Sequence, residues 1–221
     1  MNKVLLAMVA LAGGCTHIEY NGQTLPPKPA TSLTAAPAAD AAGFAEAAAV
    51  LQVLGVAVDA PLAKAKAAGK SASDFLYVAL VGVPALVVVD WRAFPSEALA
   101  ELARAAAPLG WTIDAIDEED EHGWAPFTLT RDGVRQSLRA RLNGGGNGDD
   151  RSRFMSDLVA HFGDDVTITR VALFDGSDTE GFVVLDGART TALRAAAGPH
   201  FATWFRALQP TGEPLILPAR T

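Results

Sequence analysis

The chain has 221 residues, 50% of them hydrophobic and 19% charged, with 25 Asp+Glu against 18 Lys+Arg and a net charge of −7. The excess of acid argues against a nucleic-acid binder and against a polybasic membrane patch, and leaves room for a basic protein partner or a cation. The length suits one domain, divisible into two halves, that can bury a core without disulfides; the one cysteine has no internal partner.

The chain opens Met-Asn-Lys-Val-Leu-Leu-Ala-Met-Val-Ala-Leu-Ala-Gly-Gly-Cys. Lys3 supplies a positive start, Val4 to Leu11 a short apolar run, and Ala12, Gly13 and Gly14 let a peptidase approach the backbone, as in a secretory leader. The apolar run falls far short of the roughly 20 residues that span a bilayer. The alternative is a buried N-terminal helix with a chance cysteine. The segment resembles the signal peptide of bacterial lipoproteins, although Ala12 holds the place three before the cysteine where that family usually carries Leu, and Leu11 lies four before. The resemblance implies cleavage after residues 1–14 and acylation of Cys15 with palmitate-type chains. It also implies sorting by Thr16 to the outer membrane, facing the periplasm. Two or three acyl groups anchor stably where one does not. Cleavage would remove Lys3 and no acid, leaving 17 Lys+Arg against 25 Asp+Glu and a net charge of −8.

Residues 15–42 carry Pro26, Pro27, Pro29 and Pro37 among Thr, Ser and Ala, which predicts a semi-extended tether. A globular domain is expected over 43–221, with halves at 43–143 and 149–221. Phe44 to Val58 has helical spacing at Val50, Leu51 and Leu54, and Pro61 suits the first turn of a helix to about Leu80, kinked near Gly69. Ala85 to Asp90 is β-branched and follows Pro84, so it reads as a central buried strand. Pro95 and Ser96 open a helix to about Ala107, closed by Pro108 and Gly110. Trp111 to Asp117 and Ala125 to Arg131 read as a hairpin, and Asp132-Gly133 as a turn into a short helix, Val134 to Leu142. Gly144 to Gly148 reads as a flexible linker; the preceding strand and following Lys-Ser/Thr of a phosphate loop are missing.

A helix from Ser152 to Phe162, strands Val166–Phe174 and Phe182–Leu185, and a helix from Ala188 complete the second half. Phe127 falls opposite Phe182, and Asp132-Gly133 opposite Asp186-Gly187. The fold class expected is therefore α+β, with a duplicated helix–strand–strand–helix unit on one mixed or antiparallel sheet and an N-terminal helical segment; two unrelated hairpins are the alternative. Pro199 to Leu208 is expected to form an aromatic helix with Phe201, Trp204, Phe205 and Leu208 on one core-facing side, and the tail from Gln209 to run extended.

Two hairpin loops are acidic. Asp117, Glu118, Glu119, Asp120 and Glu121 precede His122, and Asp175, Asp178 and Glu180 occupy the equivalent loop of the second unit. Such runs repel and must be solvated or neutralised. They could hold a divalent cation, though without the EF-hand spacing, or meet a basic partner and speed its association. If the loops lie side by side they form one acidic surface. His17, His122, His161 and His200 are scattered, no Gly-x-Ser-x-Gly elbow is present, and neither a catalytic set, a cofactor nor a metal centre is expected. Arg131, Arg135 and Arg139 are spaced by four and would line one helical face, as an internal charge match or an anion site. Asp90-Trp91 at a strand end is a packing anchor or a site position. The segments Asp90-Trp91-Arg92 and Gly176-Ser177-Asp178 are similar to an uncharacterised bacterial domain family, a resemblance that implies no activity.

These features together lead to an expected non-enzymatic, lipid-anchored periplasmic binding protein, in its most specific form an immunity protein that neutralises a secreted antibacterial toxin. The partner surface would be the two acidic loops, with the membrane engaged through acylated Cys15. The alternatives are a metal-assisted envelope hydrolase using the same loops and a structural envelope lipoprotein.

Overall fold

The computed structural model describes residues 19–20, 23–24, 38–115, 119–142, 149–208 and 212–219. Cys15, the leader and the linker at 144–148 lie outside them. The chain divides into two units, residues 1–36 and 37–221. In the first, β1 (Glu19–Tyr20) pairs antiparallel with β2 (Gln23–Thr24), so the expected tether includes a short ladder. No helix among the described residues is long and apolar enough to cross a membrane.

The second unit begins with α1 (Ala38–Val53), whose start lies inside the expected tether, followed by α2 (Asp59–Ala67) and α3 (Ala72–Leu80). The single kinked helix expected over 62–80 is thus two, separated at Gly69, which has φ +64°. Ser71 starts α3 through a capping box: its Oγ accepts from Asp74 N–H at 3.0 Å while Asp74 Oδ2 accepts from Ser71 N–H at 3.3 Å. Then come β3 (Leu86–Asp90), α4 (Pro95–Ala106), β4 (Thr112–Ala115), β5 (Ala125–Arg131) and β6 (Val134–Ala140). The chain continues with α5 (Asp149–Phe162), β7 (Thr167–Val171), β8 (Thr179–Leu185), α6 (Gly187–Ala197), α7 (Phe201–Trp204), β9 (Phe205–Ala207) and β10 (Ile216–Pro218).

The α+β class is as expected, but the strands form two four-stranded antiparallel sheets, not one shared sheet, in the orders β3-β8-β7-β9 and β10-β6-β5-β4. β3 is an edge strand, not a central one; it is buried because helices cover both faces of its sheet. Leu86, Val183, Leu185 and Val171 pack on one face with Phe44, Leu51, Leu76 and Leu193 of α1, α3 and α6. Val87, Val89, Phe182 and Val184 pack on the other with Leu99 and Leu102 of α4 and Phe154 and Leu158 of α5. The same cluster takes in Ile113, Phe127, Leu129 and Leu138 of the second sheet. α4 touches β3 and β4, and α5 touches β7 and β10, so this helix pair joins the two sheets.

The segment expected as a helix over 134–142 is strand β6, and the duplicated unit fails there. Asp132 and Gly133 have φ of 49° and 77°, the left-handed pair of a two-residue hairpin turn, and Arg131 faces Val134 in register. The aromatic helix expected over 199–208 is likewise cut short: α7 ends at Trp204, and Phe205 begins β9 opposite Val171. The expected extended tail supplies β10 against Leu138–Ala140.

Gly181 in β8 has no room for a side chain beside a buried ring. A Cβ on Gly181 would lie 2.6 Å from the ring of buried Phe174. Gly181→Ala is expected to destabilise by about 2 kcal/mol through overpacking. The urea midpoint checks this, and an unchanged midpoint would mean that Phe174 yields freely.

Candidate functional site

The two acidic loops have different environments. In the β4–β5 loop, Glu119, Asp120 and Glu121 are exposed, while Asp117 and Glu118 lie outside the described residues. Asp120 organises the loop. Its Oδ1 accepts from the N–H groups of His122 at 2.8 Å and Trp124 at 3.0 Å, its own N–H donates to Trp124 O at 3.0 Å, and its carbonyl accepts from Gly123 N–H at 2.9 Å. The Trp124 N–H bond is the main reason its carboxyl sits below the usual carboxylate range, with burial opposing and the His122 N–H and nearby charge adding. His122 Nε2 lies 3.6 Å from Glu121.

The β7–β8 loop uses its acids internally. Arg170 and Arg206 stand opposite each other on β7 and β9, a like-charge pair that would repel. Asp175 bridges them, accepting from Arg170 Nη2 through Oδ1 and from Arg206 Nη1 through Oδ2, both at 2.8 Å. Glu180, only 5% exposed, takes Ser152 Oγ–H at 3.1 Å and lies 3.3 Å from Arg170 Nη2 and 3.8 Å from Arg151 Nη2. Burial raises its carboxyl above the ordinary range; Arg170, Arg151 and Ser152 oppose that rise without cancelling it. The Asp178 side chain is exposed, but its carbonyl accepts from Arg151 Nη1 at 3.1 Å and Trp91 N–H at 2.8 Å, tying α5 and the end of β3 to the loop. Asp90 Oδ1 accepts from Arg92 N–H at 2.8 Å, and Arg92 stacks on Trp91 at 4.4 Å, so Asp90-Trp91 serves a turn.

No protein-family model, curated protein or solved structure matches this chain.

Among the described residues, no hydrogen bond or ion pair joins the two acidic loops, and no three His, Cys, Asp or Glu side chains gather as metal ligands. His161 is partly buried with Nδ1 3.3 Å from Gln136 Oε1, and desolvation lowers its pKa against the opposing charge of Asp157. His200 pairs through Nδ1 with Glu46 and stacks on Trp204 at 4.8 Å.

The expected arginine row changes membership. Arg131 faces the core side, where it pairs with Asp165 and lies 5.2 Å from the Trp111 ring. Arg135 and Arg139 point to the outer face of the second sheet, and Arg141 continues their alternation. Arg141 went unnoticed in the helical reading, although Arg139-Ala140-Arg141 is a strand-period signal.

Proposed function

We propose that the chain is a lipid-anchored periplasmic binding protein that docks a basic protein partner at the β4–β5 loop. In its specific form it is an immunity protein that neutralises a toxin delivered by neighbouring bacteria. The observation carrying the reading is the contrast between the loops. The β4–β5 loop keeps Glu119 and Glu121 exposed on a backbone held in shape by Asp120, whereas Asp175 and Glu180 of the β7–β8 loop are already engaged by Arg151, Arg170 and Arg206. A preorganised charged loop steers an oppositely charged partner and loses little freedom on docking. The lipobox-like residues ending at Cys15 support anchoring. The hydrolase alternative has less support, because Asp175 and Glu180, two of the carboxylates it needs, are already ion-paired with arginines.

The test is survival of a deletion strain grown beside toxin-delivering competitors, complemented by the parent chain, by a Glu119→Lys/Glu121→Lys variant or by Cys15→Ser. The charge-reversed variant is expected to stay folded and acylated yet fail to protect. Cys15→Ser is expected to lose acyl labelling and membrane association. Full protection by the charge-reversed variant, or unchanged survival of the deletion strain, would sink the immunity reading.

A further inference from the structure

Among the partly buried arginines of the described residues, Arg131, Arg151, Arg153, Arg170 and Arg189 each donate to an oxygen acceptor. Arg139 and Arg141 do not. Arg139 Nε and Nη1 and Arg141 Nε are buried with no hydrogen-bond partner. The two stand two residues apart on the outward side of β6 and its extension, with guanidinium groups 4.6 and 5.1 Å from the centre of the Trp124 ring. A ring quadrupole offsets only part of the loss of water around a full charge. Asp120, whose carboxylate feels the Arg139 charge, commits its Oδ1 to the N–H groups of His122 and Trp124. Two adjacent, partly buried cations with no hydrogen-bonded or ion-paired carboxylate among the described residues call for an anion from outside.

The same sheet face has room beside them. An open depression of about 230 Å3 is lined by Asp114, Pro126, Thr128, Arg135, Ser137 and Ala219. Pro126 is the register partner of Arg139, so the depression borders the arginine pair. Arg135 Nη2 reaches only Thr128 Oγ1, at 3.4 Å. Two hydroxyls, a third guanidinium and, on the far strand β4, the carboxylate of Asp114 thus line the space beside the pair.

We propose that Arg139 and Arg141 form a site for a small ligand bearing an oxyanion, phosphate or carboxylate, whose remaining body lies in the depression beside Arg135 and Ser137. The planar fork of arginine matches both oxyanions through paired N–H bonds. The terminal nitrogens of Arg141 and Nη2 of Arg139 are the donors the ligand meets first. The site adjoins the β4–β5 loop, whose Trp124 packs on both guanidinium groups, but it uses none of the exposed loop carboxylates and does not depend on the partner-docking reading.

The test is side-chain nitrogen NMR of the full chain in zwitterionic detergent, titrated with sodium phosphate and separately with sodium acetate at constant ionic strength. Saturable movement of the Arg139 and Arg141 Nε–H resonances, without movement at exposed Arg92, is expected with a Kd of about 1 mM or tighter. Arg139→Lys keeps the charge but loses the fork, and is expected to weaken binding by about tenfold. Vesicles of phosphatidylglycerol, compared with phosphatidylcholine, separate the sources: shifts only with the anionic vesicles assign the oxyanion to a lipid headgroup, and shifts with the free salts to a soluble ligand. No shift with any of the three, or a linear drift shared with Arg92, overturns the proposal. The parent chain alone decides this, whether or not the variant folds.

Discussion

Arg170→Met is expected to lower stability by about 3 kcal/mol at neutral pH, because it strips the central cation from a nearly closed charge network. Among the described residues, Arg170 is the one cation that pairs with both Asp175 and Glu180. Without it, Asp175 keeps Arg206, but Glu180 is left with Arg151 at 3.8 Å and Ser152. Methionine fills the volume, so the loss reports charge rather than a cavity. The effect depends on pH with a definite sign. The folded-state pKa of Glu180 already lies above its ordinary value of 4.5, so its contribution falls as pH rises from that value through the folded one. Removing Arg170 takes away the largest opposing charge and pushes the folded value higher still. The variant should therefore lie closest to the parent in acid and furthest from it above the raised value. Adding Glu180→Gln should recover much of the loss and flatten that difference. Urea unfolding of parent, single and double variants across a pH series measures all of this. A loss constant with pH, or no recovery in the double variant, would show that Glu180 is not the group left uncompensated.

Trp204→Ala is expected to cost about 4 kcal/mol, in the range for emptying a buried aromatic site. Trp204 is fully buried at the junction of α7 and β9. Its Nε1–H donates to Ser73 Oγ at 3.0 Å, which ties the α7–β9 junction to α3, and its ring stacks on His200, the partner of Glu46 in α1. Truncation leaves Ser73 without its donor and His200 without its platform as well as opening a void. Trp204→Phe keeps most of the fill but loses the N–H, and should cost clearly less. Thermal unfolding compares the two. Equal losses would mean that the indole hydrogen bond dominates over volume.

How far these features could be read from the residues alone depended on whether the signal was local. The helix at 95–106 follows from its Pro95 start and apolar spacing, the helix at 149–162 from apolar spacing alone, and the β4–β5 hairpin from alternation. β6 was misread although its signal was also local. Arginines four apart satisfy a helix and a strand equally, and the Asp132-Gly133 turn, which favours a hairpin, decided the matter. Trp204-Phe205 was misread for another reason: adjacent aromatics suit one helical face, but β7 recruits Phe205 as a strand residue from across the chain. The acids of the β7–β8 loop read as a solvated run because two of their three cations, Arg151 and Arg206, are remote in sequence. Arg206 reaches Asp175 only after β9 pairs with β7, and Arg151 reaches Glu180 from the first turn of α5. Nothing in a window around Glu180 could show that it is buried.

The position of β10 bears on the order in which the molecule can be completed. β6 is bounded on one side by β5, its immediate neighbour in the chain, and on the other by residues 216–218, which follow it by more than seventy positions. Until those residues arrive, the backbone of Leu138 to Ala140 presents an unpaired ladder, the kind of edge onto which foreign strands add. A growing chain, or one trimmed before residue 216, therefore carries an open template for aggregation at the β6 edge, and the folded protein closes it with a strand from much later in the chain.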